Sequence, residues 1–172
     1  MNAGVDLTLE RYLNRGYYYM ATASLFQSTY KGGDGLKRST RFNRNYVFNV
    51  MGGKEWYTGR TRQNVLSANA RFTYMGGDRI HPIDMNATIR RQEIVEDLSG
   101  AFGVQLPDAP ILSFSLSYRI NKLNHSGTWS LQFINALAHR EFQEYEFIPE
   151  TNKINRKEDL IMVPNISYKI EF

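Results

Sequence analysis

Along much of the chain, apolar and polar residues alternate one by one. Period-two alternation places the two sets on opposite faces of a β-strand. The cleanest run has Leu112, Phe114, Leu116, Tyr118 and Ile120 against Ser113, Ser115, Ser117, Arg119 and Asn121. A second has Leu66, Ala68, Ala70, Phe72 and Tyr74 against Ser67, Asn69, Arg71 and Thr73. The last stretch repeats it, with Ile166, Tyr168, Ile170 and Phe172 against Asn165, Ser167, Lys169 and Glu171. About seven strands are expected, near 4–13, 17–30, 46–56, 66–74, 112–121, 129–133 and 160–172. In the second of these, Tyr17, Tyr18, Tyr19 and Met20 are apolar or aromatic on both faces, so its facing stays open. In the third, Tyr46, Phe48, Val50 and Trp56 face outward, Asn49 and Glu55 inward, and Gly52-Gly53 reads as a bulge.

The connections alternate short and long. Asn14-Arg15-Gly16, 59–64 and 124–127 are short, whereas 31–45, 75–110 and 135–159 are long. Within 75–110, the stretch 87–98 is expected to form a short helix. Strands of about ten residues, apolar-out and polar-in, with short turns at one end and long loops at the other, are the pattern of an outer-membrane barrel. Counted back from a periplasmic C-terminus, every long loop falls outside the cell, and Trp56 and Trp129 sit beside short turns, where an aromatic girdle belongs. The fold class expected is all-β: an antiparallel up-and-down transmembrane β-barrel segment, incomplete by itself. Seven strands leave two edges that lipid cannot satisfy, so further strands or copies of the chain must pair with them.

Composition narrows this picture. The 172 residues are 42% hydrophobic and contain no apolar run long enough for a helical span. Aromatics make up 13%, which suits strands and interfacial belts. Cysteine is absent, which removes disulfides, thiol nucleophiles and Cys metal sites. The net charge of +4 raises nucleic acid as a partner, but the basic residues are scattered among acids in loops, so no nucleic-acid partner is expected. Met1-Asn2-Ala3-Gly4-Val5 runs straight into alternation without a signal peptide. The chain is therefore expected to be either the C-terminal piece of a longer protein or not exported.

Several segments resemble the C-terminal part of TonB-dependent outer-membrane receptors of the Bacteroidetes type. They are Gly32-Gly33-Asp34-Gly35, Tyr46-Val47-Phe48-Asn49 running into Gly53-Lys54-Glu55-Trp56, Tyr74-Met75-Gly76-Gly77-Asp78-Arg79 with Pro82-Ile83-Asp84, and 164–172. The resemblance implies a 22-stranded, plugged barrel in the cell outer membrane that takes up a scarce nutrient: a metal chelate, a vitamin or an oligosaccharide. Residues 1–172 would be its C-terminal barrel portion, without plug domain or signal peptide. The partners implied are outer-membrane lipid, the remaining N-terminal strands and plug, TonB acting through that plug, and the barrel-assembly machinery. Tyr168, Ile170 and Phe172 would carry the assembly signal.

Candidate chemistry is sparse. His81, His125 and His139 lie on three separate connections, so no metal site is expected. Asp34, Asp78 and Asp84 fit turn chemistry rather than a calcium loop. Ser113, Ser115 and Ser117 have no histidine on a neighbouring row, so no catalytic residue, no enzyme activity and no cofactor are expected. The candidate ligand-binding residues are Arg38, Arg41 and Arg79 for an anion, with Tyr145 and Phe147 for stacking on a ring such as a sugar. The alternative from another class is a soluble or surface-exposed β-sheet binding module, in which the row from Leu112 to Ile120 would face a protein core.

Overall fold

Alternation of this kind requires a sheet to sort its faces, and the computed structural model, which describes residues 1–172, contains one. In chain order the elements begin with β1 (Asn2–Asn14), β2 (Tyr17–Lys31), β3 (Lys37–Ser39), β4 (Tyr46–Thr58), β5 (Asn64–Met75) and β6 (Arg79–Ile80). A short helix α1 (Met85–Arg91) and a 3-10 turn at Leu98–Gly100 follow, then β7 (Val104–Gln105) and β8 (Ala109–Asn121). The chain finishes with β9 (Ser126–Ile134), β10 (Arg140–Ile148), β11 (Lys153–Leu160) and β12 (Val163–Glu171).

The main sheet has the order β1-β2-β4-β5-β8-β9-β12, with every long strand antiparallel to its chain neighbour, and β3 joins the far end of β2. Its outermost strands β1 and β12 do not pair with each other, so the sheet is open. The first turn shows how local chemistry sets this meander. Asn14 pairs with Tyr17, leaving Arg15 (φ 53°) and Gly16 (φ 80°) as a two-residue loop with both φ positive, the turn whose twist matches a hairpin.

Register decides the faces. Val50 pairs with Ala21 and Phe72, Phe72 pairs with Leu112, and Leu116 pairs with Ala68 and Leu131, so the apolar rows of the seven strands along the main sheet fall on one side. The same ladder resolves β2, with Tyr17, Tyr19, Ala21, Ala23 and Leu25 on the apolar face and Tyr18, Met20, Thr22 and Ser24 on the polar one. On the polar face, hydrogen bonds run across strands. Tyr18 donates to Asn69 at 2.9 Å, Asn69 to Ser115 at 3.3 Å, Thr73 to Asn49 at 2.7 Å and Asn49 to Thr22 at 3.3 Å. A cavity of about 410 Å³ lies on this face beside Arg71 and Ser115.

The apolar face has nothing packed on it. Only 10 of 172 residues are buried, and the one apolar side chain among them is Ala87. Val5 is 73% exposed, Leu7 69% and Ile166 71%. A self-standing domain of this length would bury most of these side chains, at about 1.5–3 kcal/mol each.

Four expectations are corrected. Gly52 and Gly53 form no bulge, because β4 keeps unbroken register with β2 and β5 through both. Gly53 instead makes room for Tyr18, since a Cβ there would stand 2.6 Å from that ring. The helix spans Met85–Arg91 rather than 87–98. Asp84 caps it by accepting the Ala87 amide at 2.9 Å, and Gln92 ends it in the left-handed region. The connection 135–159 is not a plain loop but holds the β10–β11 hairpin. The final strand accordingly starts at Val163, and Leu160 closes β11 by pairing with Arg140.

Candidate functional site

All long connections, 32–45, 76–108 and 135–162, leave the same end of the sheet, and their residues assemble on one another. The assembly starts where β5 runs into Gly76 and Gly77, both buried. There the Gly76 amide donates to the Tyr46 carbonyl at 3.1 Å, and Leu106 donates to the Asp78 carbonyl at 2.9 Å. β6 and β7 pair into a small platform, tied to the 41–45 segment by Arg79 N–H to the Arg41 carbonyl at 2.8 Å and by the Arg44–Asp78 ion pair at 2.6 Å.

The Arg79 side chain donates to the Asn43 carbonyl at 2.9 Å, to Asn45 Oδ1 at 2.9 Å and to Gln105 Oε1 at 3.1 Å. All three acceptors are neutral, so its charge is left without a counter-ion. Next to it, the His81 ring lies against Phe102 with centroids 4.3 Å apart, and its Nε2 is 3.9 Å from Glu96.

The opposite wall comes from β10. Phe142 and Tyr145 meet edge to face at 5.0 Å, and the Arg156 guanidinium of β11 covers Phe142 at 5.4 Å. Glu144 is neutralised by Lys157 at 2.9 Å, and that contact holds the Lys157 ammonium above its ordinary pKa. Between the two walls lies a cleft of about 480 Å³, within the range of small-ligand sites. Arg41 lines it, with its guanidinium 5.7 Å from the Phe42 ring and no carboxylate partner.

The fold therefore brings Arg41, Arg79 and Tyr145 together and leaves Arg38 and Phe147 elsewhere. Phe147 pairs with Ile154 across the hairpin. Arg38, 12% exposed, grips Asp34 through two nitrogens at 2.9 and 2.6 Å and donates to the Ser99 carbonyl at 3.1 and 3.0 Å, so it clamps two connections rather than facing the cleft. At the other end, Tyr168 lies against Trp129 at 4.5 Å on the apolar face, Ile170 pairs with Gly127, and Phe172 is fully exposed. Phe102, Phe142 and His81 were not singled out as lining residues from sequence. The available signal was an aromatic ring stranded in a polar connection, the same one that pointed to Tyr145.

Arg38 has a measurable effect on Asp34. Its hydrogen bonds, followed by the Leu36 amide, lower the Asp34 carboxyl to about 2. A depressed carboxylate contributes stability above its unfolded value of 3.8 and loses it as pH falls toward 2. An NMR titration of the Asp34 carboxyl carbon should show a midpoint near 2, and Arg38→Gln should return that midpoint toward 3.8.

The hairpin hangs on Asn135, which is 7% exposed with φ 56°. Its side chain donates to the carbonyls of His139 at 2.8 Å and Ile161 at 3.0 Å, and accepts the His139 amide at 3.0 Å, closing the base of the β10–β11 excursion. Asn135→Ala removes these bonds and puts a residue less suited to the left-handed region there, at about 1–3 kcal/mol. Limited proteolysis within 136–162 should accelerate several-fold.

No protein-family model, curated protein or solved structure matches this chain. No three His, Asp or Glu side chains converge as a metal site would need. The chemistry that the cleft offers is cationic and aromatic recognition.

Proposed function

We propose that this chain is the barrel wall and extracellular ligand gate of an outer-membrane receptor that takes up a scarce nutrient by TonB-dependent transport, without catalysis. One observation carries the reading: the apolar rows of seven antiparallel neighbours share a single, uncovered face, and every long connection leaves the same end. Lipid would cover that face, and the polar face with its cross-strand hydrogen bonds would line a wet lumen.

The aromatic residues support the same placement. Near the short turns, Trp56, Tyr118, Trp129 and Tyr168 stand in one lateral row of the apolar face. At the other end, Tyr46 stacks on Tyr74 at 5.9 Å. Asp108, just outside β8, is held below the usual carboxylate range by the Tyr74 hydroxyl, which donates at 2.6 Å, and then by that of Tyr46. From Tyr46 to Trp56, at about 3.3 Å per residue, the strand covers about 33 Å. Tilted by about 40–45°, this becomes about 23–25 Å along a bilayer normal, the height of the apolar band in such barrels.

The test is fractionation of native cells followed by an uptake assay. The receptor should sediment with outer membrane, resist carbonate extraction and lose uptake when the energy-coupling protein is deleted. Recovery in the soluble fraction overturns the proposal and favours a binding module whose core is completed by another chain.

A further inference from the structure

We propose that the cleft between the β6–β7 platform and the β10–β11 hairpin takes an acidic oligosaccharide, with a uronate carboxylate on Arg41 and a sugar face on Tyr145. This inference rests on the uptake reading and names the substrate class of that site. Three properties of the walls carry it.

The first is charge. Arg41 has no carboxylate partner, and Arg79 spends its donors on neutral acceptors. Of the acids nearby, Glu144 is paired with Lys157 at 2.9 Å, and Glu96, half exposed to solvent, sits 3.9 Å from His81. The hydroxyl oxygens of a neutral ligand can accept from these guanidinium groups but do not compensate their charge. A carboxylate can take a bidentate pair from Arg41, the strongest class of polar contact available here.

The second is ring surface. Phe102, Phe142 and Tyr145 line the cleft as half-buried rings, Phe102 resting on His81 and Phe142 on Tyr145, and each keeps part of its surface toward the opening. An inorganic anion such as phosphate would use the cations and leave these rings wet. The apolar face of a sugar ring covers them.

The third is acceptor capacity. Glu96, Glu144 and Gln143 edge the same cleft and can accept from hydroxyl groups. An aromatic chelate satisfies the rings and cations but offers few hydroxyls for these acceptors. A uronate sugar meets all three demands at once. A neighbouring cavity of about 150 Å³ shares Phe142 with the cleft and is lined by Arg140 and Arg156. A sugar chain that reached it would replace the Arg156 guanidinium on the Phe142 ring, which now lies 5.4 Å from the ring centre.

The test is isothermal titration of the complete receptor, purified in detergent, with tetragalacturonate, a mannuronate tetramer and a glucuronate-containing tetrasaccharide. Neutral maltotetraose serves as the comparison. At least one acidic tetramer should bind, the neutral one at least about tenfold more weakly, and added salt should reduce the difference. Arg41→Gln should weaken the acidic tetramer by about tenfold or more while leaving any neutral-sugar binding unchanged. Tyr145→Ala should weaken both. Glu150→Gln, in the hairpin turn, should change neither. Equal affinity for acidic and neutral tetramers, an Arg41→Gln variant with native affinity, or no binding of any acidic tetramer overturns the assignment. If the receptor fractionates with outer membrane and still ignores every uronate, the substrate class fails and the uptake reading stands. If it fractionates as a soluble protein, the uptake reading itself has failed.

Discussion

On the proposed facing, Leu116→Arg should block membrane insertion, and Ser115→Arg, one residue earlier on the same strand, should not. The two side chains leave β8 on opposite faces. Leu116 pairs with Ala68 and Leu131 in the middle of the apolar side, 44% exposed with no protein over it. If lipid covers that face, an arginine there costs about 2–4 kcal/mol, the penalty for a cation near the bilayer midplane. Ser115 pairs with Asn69 and Gln132 on the polar side, next to the cavity of about 410 Å³, which can hold a long side chain in water. Its loss removes one weak hydrogen bond, the 3.3 Å contact from Asn69. Heat-modifiable migration of the two variants in outer-membrane fractions reads the difference directly. Equal tolerance of both substitutions removes the facing proposed for the sheet.

Gly77→Ala should dismantle the cleft and leave the main sheet in place. A Cβ on Gly77 would stand 2.6 Å from the Pro107 carbonyl oxygen and collide outright with the Leu106 carbonyl. Both obstacles are backbone, so no side-chain rotation relieves them, and the 76–79 and 105–107 segments must separate. Overpacking of this kind costs typically about 1–3 kcal/mol, and with backbone as the obstacle the upper end applies. Separation breaks the Leu106–Asp78 bond and shifts Arg79 away from Asn43 and Gln105, which together hold one wall of the cleft. The variant should insert normally, because the apolar rows are untouched. It should lose ligand binding and become sensitive to protease between 76 and 108. Gly33→Ala is the matched control, since a Cβ there meets nothing within 4 Å. If Gly77→Ala retains native binding, the platform does not shape the site.

The strands and the cleft were not equally legible. β5, β8 and β12 could be read from their own residues, because alternation is a local signal that needs only neighbours in the chain. The β10–β11 hairpin was hidden for a physical reason. Its faces are mixed, with Glu141, Glu144 and Glu146 beside Phe142, Tyr145 and Phe147, and a register shift between Phe142 and Glu144 breaks the period. The helix occupies 85–91 rather than 87–98 because Asp84 caps its start and Gln92 ends it in the left-handed region, and a weak apolar stripe signals neither end. Arg38 and Arg41 were indistinguishable in sequence, as both are basic residues in one connection. Asp34 and the Ser99 carbonyl occupy the first and leave the second free, and Ser99 is distant in sequence from both.

By itself, the sequence determined the all-β class, the seven strands along the main sheet and the alternation of short and long connections between them, since each depends on residues adjacent along the chain. The tertiary structure alone decided that the apolar rows share a face and that β2 turns Tyr17 and Tyr19 rather than Tyr18 toward it. It also decided which cations meet which rings. Face-sharing depends on register between strands, and the cleft depends on three connections folding over one another, so no single stretch of residues could have specified either.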